Sequence, residues 1–445
     1  MNERELSAAV VADVFDKGFG NIVLKDALSR HKEMSRVQKA FVTEVVNGTF
    51  RNLIRIDYVI GRFSTVKVKK MRPYVLNVLR ISVYQLMFMD RVPDSAVCNE
   101  AVKLVKKKGF TNLGGFVNGV LRNIARNINK IPYPDEKKEP VRYLSVMYSY
   151  PSEIIEYWLE TFSYDEVCKM CAENLKTPKV SAAVNTLKTD EKGLIKALKE
   201  DNIGSVRAKI GEGILNVSKT SDISESAAFK QGLFHIMDQS AYLCVKLLNP
   251  EKGERILDVC AAPGGKSFLV AYLMENTGEI VSRDIYKHKL RLVEKGAKRL
   301  GIDIIKPELF DASRFKPEDK EAFDRVLVDA PCSGLGLLKK KPDIKYNKAL
   351  EDIEALAELQ KKILTAAQEY VKPGGVLVYS TCTVSNKENE DIRDWFLKEF
   401  DFDCCDISSL VPKGGETQTL KEGYINITPY MWGGDGFFAA KFIKR

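Results

Sequence analysis

Two patterns of apolar spacing divide the chain. In residues 1–135 the apolar positions recur at helical spacing, as in LNVLRISVYQLMFM and NEAVKLVKKKGF, where residues three and four apart share a face. Asn112–Asn127 opens on a glycine pair and continues as an amphipathic helix with Arg122 and Arg126 on its polar side. The Pro-rich, charged IPYPDEKKEP at 131–140 reads as a linker. Residues 140–235 are mixed: YPSEIIEYWLETF predicts a helix with Ser152 at its N-cap, and KVSAAVNTL predicts a strand. From 236 to 445 short continuous apolar runs take over (RILDVC, EIVSRD, FDRVLVDA, GGVLVYSTCT). Helical stretches such as HKLRLVEKGAKRLG and ALEDIEALAELQKKILTAAQEYV separate them. Continuous apolar strands alternating with helices imply a parallel sheet covered on both faces. The expected fold is therefore multidomain: all-α at 1–135, a small α+β connector at 140–235, and a doubly wound α/β domain at 236–445. In such a domain the ligand lies beyond the carboxyl ends of the strands.

Length and charge sharpen this picture. A chain of 445 residues is too long for one core, so two or three domains are expected. It has no apolar run long enough for a membrane helix, and Met1–Val10 lacks the pattern of a secretory signal. A cytoplasmic protein without a membrane partner follows as the expectation. Its nine cysteines, an odd number with no extracellular cue, read as thiols rather than a disulfide frame. Residues 1–130 hold 23 Lys and Arg against 11 Asp and Glu, and the remainder 46 against 49. The whole of that excess falls between Arg51 and Lys130, with 16 basic residues against 4 acidic. A basic surplus confined to one domain points to a polyanionic partner.

The chemistry gathers at the ends of the predicted strands. Asp258–Ser267, DVCAAPGGKS, follows one strand and opens a helix. Its small residues, Ala261, Ala262, Gly264 and Gly265, let the backbone approach a ligand. The spacing is that of neither a P-loop nor G-x-G-x-x-G. Asp284 ends the next strand, where an acid typically accepts from ribose hydroxyls. Asp311 follows the third, where a carboxylate could receive an adenine amino group. An adenosyl ligand held without a pyrophosphate loop points to S-adenosyl-L-methionine.

Two further strands each end in a cysteine, Cys332 in DAPCS and Cys382 in STCTVSNKENE. Ser385 and Glu388 have the S-x-x-E spacing of a capping box, which predicts a helix just after Cys382 and a site favouring thiolate. Thiols beside a methyl-donor loop suit one acceptor in particular. The C5 carbon of a pyrimidine is too weak a nucleophile until a thiolate adds to C6. An acid near N3 helps that addition, and Asp329 is placed for it. These residues do not by themselves order the two thiols. Cys168 and Cys171 form C-x-x-C within a helical pattern, and with three His in the chain and no second pair no metal site is expected. Cys98 and Cys244 read as buried small hydrophobes.

ILDVCAAPGGKS, VLVDAPCSGLG, KKKPDIKY, VYSTCT and GDGFFAAKF closely resemble the RNA cytosine-5 methyltransferases of the Sun/Fmu (RsmB) family. FVTEVVNGTFRN and GGFVNGVLRNIAR resemble the NusB-type helical RNA-binding domain found at the start of that family. The resemblance implies a Rossmann-like methyltransferase domain acting on a cytosine of small-subunit (16S) ribosomal RNA. It puts cofactor contacts on Cys260, Ala261, Ala262, Pro263, Gly264, Gly265, Lys266, Asp284, Asp311 and Asp329, the nucleophile on Cys382, and product release on Cys332. DNA cytosine-5 methyltransferases use the cysteine of a Pro-Cys pair, here Pro331–Cys332, so the order of the thiols rests on the family. Arg283 stands where that family usually has an apolar residue. Lys339–Lys341 are expected to meet RNA phosphate, and a monomer is expected. DNA as substrate, or an RNA-binding assembly module with a vestigial catalytic half, are the competing readings.

Overall fold

The computed structural model describes residues 2–18, 20–218, 220–346, 350–415 and 417–445. They form two compact units, Met1–Lys176 with Leu338–Lys348, and Thr177–Leu337 with Ala349–Arg445. Among the described residues no helix is long and apolar enough to cross a membrane.

The first unit is helical. Glu3–Lys17, Gly20–Arg30, Arg36–Arg51, Leu53–Phe63, Pro73–Phe88, Asp94–Lys107 and Gly114–Asn127 come first. Val42 and Val45, Val78 and Ile81, and Leu121 and Ile124 are buried pairs three residues apart, the spacing that puts side chains on one helix face. Arg122 and Arg126 stay exposed on the other. Pro140–Tyr148, Ser152–Leu159 and Tyr164–Asn174 complete the unit. Pro151, not Ser152, holds the N-cap position of the second of these, and no side chain caps it; Ser152 is its first helical residue.

The KKKPDIKY stretch belongs to this unit too, and Lys339, Asp343 and Lys345 turn inward. Asp343 accepts a hydrogen bond from the Gly20 N–H at 3.0 Å. Lys345 donates to the Arg51 carbonyl at 3.0 Å, and Tyr346 to the Phe50 carbonyl at 2.9 Å. Burial pushes the Lys345 ammonium down to about 7. Lys339 corrects an expectation: it is buried and paired with Glu173 at 2.7 Å, so it does not offer its charge to RNA. Lys340 and Lys341 are exposed.

The second unit holds two sheets. The smaller is antiparallel, built from β1 (Val180–Val184), β2 (Ser205–Arg207), β3 (Ile214–Val217) and β4 (Phe234–Ile236), in the order β2-β3-β1-β4. The larger contains β5 (Arg255–Asp258), β6 (Glu279–Asp284), β7 (Ile305–Leu309), β8 (Phe323–Asp329), β9 (Val371–Thr381), β10 (Phe402–Cys404), β11 (Tyr424–Ile427) and β12 (Phe437–Lys444). Its order is β10-β12-β9-β8-β5-β6-β7, with β11 beside β12. Strands β5 to β9 pair in parallel, and β10, β11 and β12 are antiparallel additions. Successive residues face opposite sides of the sheet. Ile256, Leu327 and Val378 enter one core with Leu269 and Val293, while Leu257, Val326, Val328 and Leu377 enter the other with Ile363 and Phe396. That double burial is why the strands read as continuous apolar runs. The order reverses at β5, between β6 and β8, which opens a crevice beyond their carboxyl ends.

Two glycine backbones lock the sheet end. Gly336 donates to the Cys382 carbonyl at 3.1 Å, and Gly436 donates to the Gly336 carbonyl at 2.9 Å. A Cβ on Gly336 would lie 1.9 Å from the Gly436 oxygen. Gly336→Ala is therefore expected to destabilise the protein by about 1–3 kcal/mol, the usual cost of forced overpacking. Urea unfolding measures this, and an unchanged midpoint would mean the contact yields freely.

Candidate active site

Strand β5 delivers Asp258 to the sheet end, and the chain turns through 259–264 into the helix Gly265–Leu273. Gly264 sits at φ +107°, and a Cβ there would lie 2.5 Å from the Phe268 ring, so glycine is required for two reasons. Asp258 is buried. Its Oδ2 accepts from Ser267 Oγ at 2.7 Å, while Oδ1 has no hydrogen-bond partner. Burial pushes this carboxyl up to about 7, against the pull of the Ser267 bond and with the Asp329 charge adding to the rise.

A cavity of about 250 Å³ lies beyond the strands. Cys260 and Ala262 line it, as do Asp284, Asp311 and Asp329; Ile285, Tyr286, Leu359 and Ile363 supply apolar walls. Asp284 Oδ1 accepts from the Tyr286 N–H at 2.8 Å. Asp311 Oδ1 accepts from the Ser313 N–H at 3.0 Å and Oγ at 2.7 Å, bonds that hold its carboxyl below the usual carboxylate range. Ala261, Pro263, Gly264, Gly265 and Lys266 do not line this cavity. Lys266 points instead at Asp329, with Nζ 2.5 Å from Oδ2. Ser380 Oγ donates to the other Asp329 oxygen at 3.0 Å. Although burial works against its charge, the Asp329 carboxylate keeps the Lys266 ammonium raised. Arg283 does not line this cavity. It is fully buried, paired with Glu308 and Asp319 and packed against Phe310 and Tyr370.

The two cysteines meet. Cys332 Sγ lies 3.2 Å from Cys382 Sγ, and the Cys382 N–H donates to Cys332 Sγ at 3.3 Å. The hydrogen bond to the Cys382 sulfur and the loss of water around it hold the Cys332 thiol well above its ordinary range. The helix expected just after Cys382 starts later. A short 3₁₀ turn, Asn386–Glu388, precedes the helix Glu390–Glu399, and Ser385 makes no capping bond. Glu388 looks elsewhere. Its carboxylate is fully buried and accepts from the Ser333 N–H at 2.9 Å, the Ser333 Oγ at 2.5 Å and Gln360 Nε2 at 3.1 Å. Glu388 and Gln360 carry no motif signal of their own; the S-x-x-E spacing drew attention to Glu388 for a different reason.

Comparison with known proteins identifies the family. Residues 245–443 match the family profile of the 16S rRNA methyltransferase RsmB/F, and residues 1–126 match the NusB family. The probable ribosomal RNA small subunit methyltransferase B of Bacillus subtilis is 36% identical over 97% of this chain and 96% of its own length. The chain belongs to the RsmB family. The probable small subunit methyltransferase B of Synechocystis is 32% identical over the full length of both chains. Among solved structures, PH0851 covers 100% of this chain and 99% of its own, with TM-score 0.81 and 26% identity. NSun6 from Pyrococcus horikoshii, solved with SFG, covers 67% of this chain and 99% of its own, with TM-score 0.60 and 25% identity. The family's methyl donor is S-adenosyl-L-methionine, and the cavity combines the carboxylates of Asp284, Asp311 and Asp329 with apolar walls.

The raised carboxyl of Asp258 gives a pH test. Its folded form binds the proton more tightly than the unfolded chain does. Its contribution to stability is present at low pH and is lost as pH rises from the unfolded value towards about 7. Asp258→Asn is expected to flatten the stability profile across that window. Thermal melts at a series of pH values read this out; an unaltered slope would place the titration elsewhere.

Proposed function

We propose that the protein methylates C5 of a cytosine in small-subunit ribosomal RNA through a covalent bond between Cys382 and C6 of the base. One observation supports this most: the sulfur atoms of Cys332 and Cys382 lie 3.2 Å apart, at strand ends beside a cavity of adenosyl character. Methylation of oxygen or nitrogen needs no thiol, whereas a C5 carbon needs one to become nucleophilic. When bound, S-adenosyl-L-methionine supplies an electrophilic methyl group. Asp284 would hold its ribose hydroxyls and Asp311 its amino group, with Ile285 and Leu359 against the base.

The remaining steps belong to the chain's own side chains. The target cytosine must leave its stack to reach the thiols. Cys382 adds as thiolate to C6, and electron density moves into the ring towards N3. Asp329 relays a proton from the Lys266 ammonium, 2.5 Å away, to N3 as negative charge builds there, and takes it back when the ring is restored. Once C5 carries the methyl group, its remaining proton must be removed. Cys332 takes or directs that proton, the Cys382–C6 bond breaks, and the C5–C6 double bond returns. The family supports Cys382 as the nucleophile, and all the groups come from one chain, so a monomer in the cytoplasm suffices. The basic helical domain would grip the RNA through phosphates, with Lys106–Lys108, Arg122 and Arg126 among the contacts.

Three outcomes follow. Cys382→Ala is expected to give neither methylation nor adduct, while Cys332→Ala gives adducts that accumulate and survive denaturing electrophoresis. Adducts in Cys382→Ala instead would swap the roles. Asp284→Ala is expected to weaken S-adenosyl-L-methionine binding by about 1.5–3 kcal/mol; calorimetry on the folded variant checks this, and unchanged affinity would move the ribose contact. RNA affinity should fall steeply with salt through the basic domain, and a flat salt dependence would remove phosphate contacts from the account.

A further inference from the structure

The two thiols sit on separate loops, and something must set their spacing. The Cys332 loop is held on both sides of the cysteine. Before it, Gln360 Nε2 donates to the Pro331 carbonyl at 3.0 Å. After it, Ser333 gives its N–H and its hydroxyl to the Glu388 carboxylate. The same Gln360 nitrogen also reaches Glu388, so one carboxylate and one amide brace residues 331 and 333 together. The Cys382 loop is tied into the same knot. Ser333 Oγ lies 2.7 Å from Thr383 Oγ1, joining the residues that follow the two cysteines. Tyr379 donates its hydroxyl to the Glu388 carbonyl at 2.6 Å. Asn389 accepts from Thr381 Oγ1 at 2.6 Å and donates to the Thr383 carbonyl at 3.2 Å. Gln360, Tyr379, Glu388 and Asn389 are all buried.

A buried carboxylate is costly, and it is retained where its hydrogen bonds fix geometry. Among the described residues, each bond to the Glu388 carboxylate comes from the Cys332 loop or from the amide that braces that loop. From this arrangement we infer that Glu388, acting through Ser333 and Gln360, is the positioning residue that keeps Cys332 against Cys382 for the release step. The inference rests on the covalent reading above and adds a residue to it. Glu388 neither touches the base nor enters the cavity lining; the thiols do the chemistry.

The test is a double-mutant comparison in the full chain, with S-adenosyl-L-methionine and transcribed small-subunit ribosomal RNA. Glu388→Ala is expected to lower kcat on the order of a hundredfold, as misplacement by about an ångström can, with KM for both substrates unchanged. Its adducts should accumulate on a denaturing gel, as in Cys332→Ala. In the Cys332→Ala background, Glu388→Ala should add little further loss, because the group it positions is gone. Glu388→Gln keeps an acceptor for the Ser333 N–H and should recover part of the rate, which a variant that merely misfolds would not allow. Full additivity of the two losses, or a lower Tm with kcat intact in Glu388→Gln and Glu388→Ala alike, would overturn the assignment. Turnover persisting in Cys382→Ala would sink the covalent reading itself, whatever Glu388 does.

Discussion

The parallel register of β8 on β9 is the constraint on which the site depends. Asp329 pairs with Ser380 across the two strands, and the Ala330 N–H closes the ladder on the Ser380 carbonyl at 2.9 Å. From there both chains leave the sheet side by side, and each reaches a cysteine within three residues. The register also sets which side chains face the crevice: Ser380 Oγ reaches Asp329, which in turn holds Lys266. A slip of one residue would send Val378 and Leu327 to the wrong cores and part the thiols together. Packing on both faces of the sheet therefore fixes the chemistry, and the loops refine it.

Around that frame the electrostatics are divided between two faces. Arg283 and Asp284 are neighbours on β6 yet serve different ends. Alternation along the strand turns Arg283 into a buried cluster with Glu308 and Asp319, and leaves Asp284 at the cavity. An arginine inside the domain is tolerable because carboxylates and aromatic faces surround it. At the crevice, Asp258, Lys266 and Asp329 form a chain in which one cation lies among carboxyls. Asp258 is the member that burial drives towards its neutral form.

Much of this was legible in the residues. Apolar runs that end in Asp258, Asp284, Asp329 and Thr381 marked the strands, because strands buried on both faces need no polar alternation. The helical period of the first domain and its exposed Arg122 and Arg126 were equally plain. Legibility failed where a side chain chose among distant partners. Ser385 and Glu388 have capping spacing, but burial against Ser333 and Gln360 satisfies Glu388 better than a helix end would. Lys339 sits in a run of lysines that reads as solvated, yet Glu173, distant in sequence, takes it inside. Local pattern cannot report a partner more than a hundred residues away.

The central claim is that Cys382, and not Cys332, forms the bond to the base. Ribosomal RNA containing 5-fluorocytosine provides the direct measurement, since fluorine at C5 cannot leave as the proton does and the adduct is trapped. Digestion of the wild-type complex followed by peptide mass spectrometry should place the nucleotide on the peptide that contains Cys382. A nucleotide found on the peptide carrying Cys332 would contradict the account.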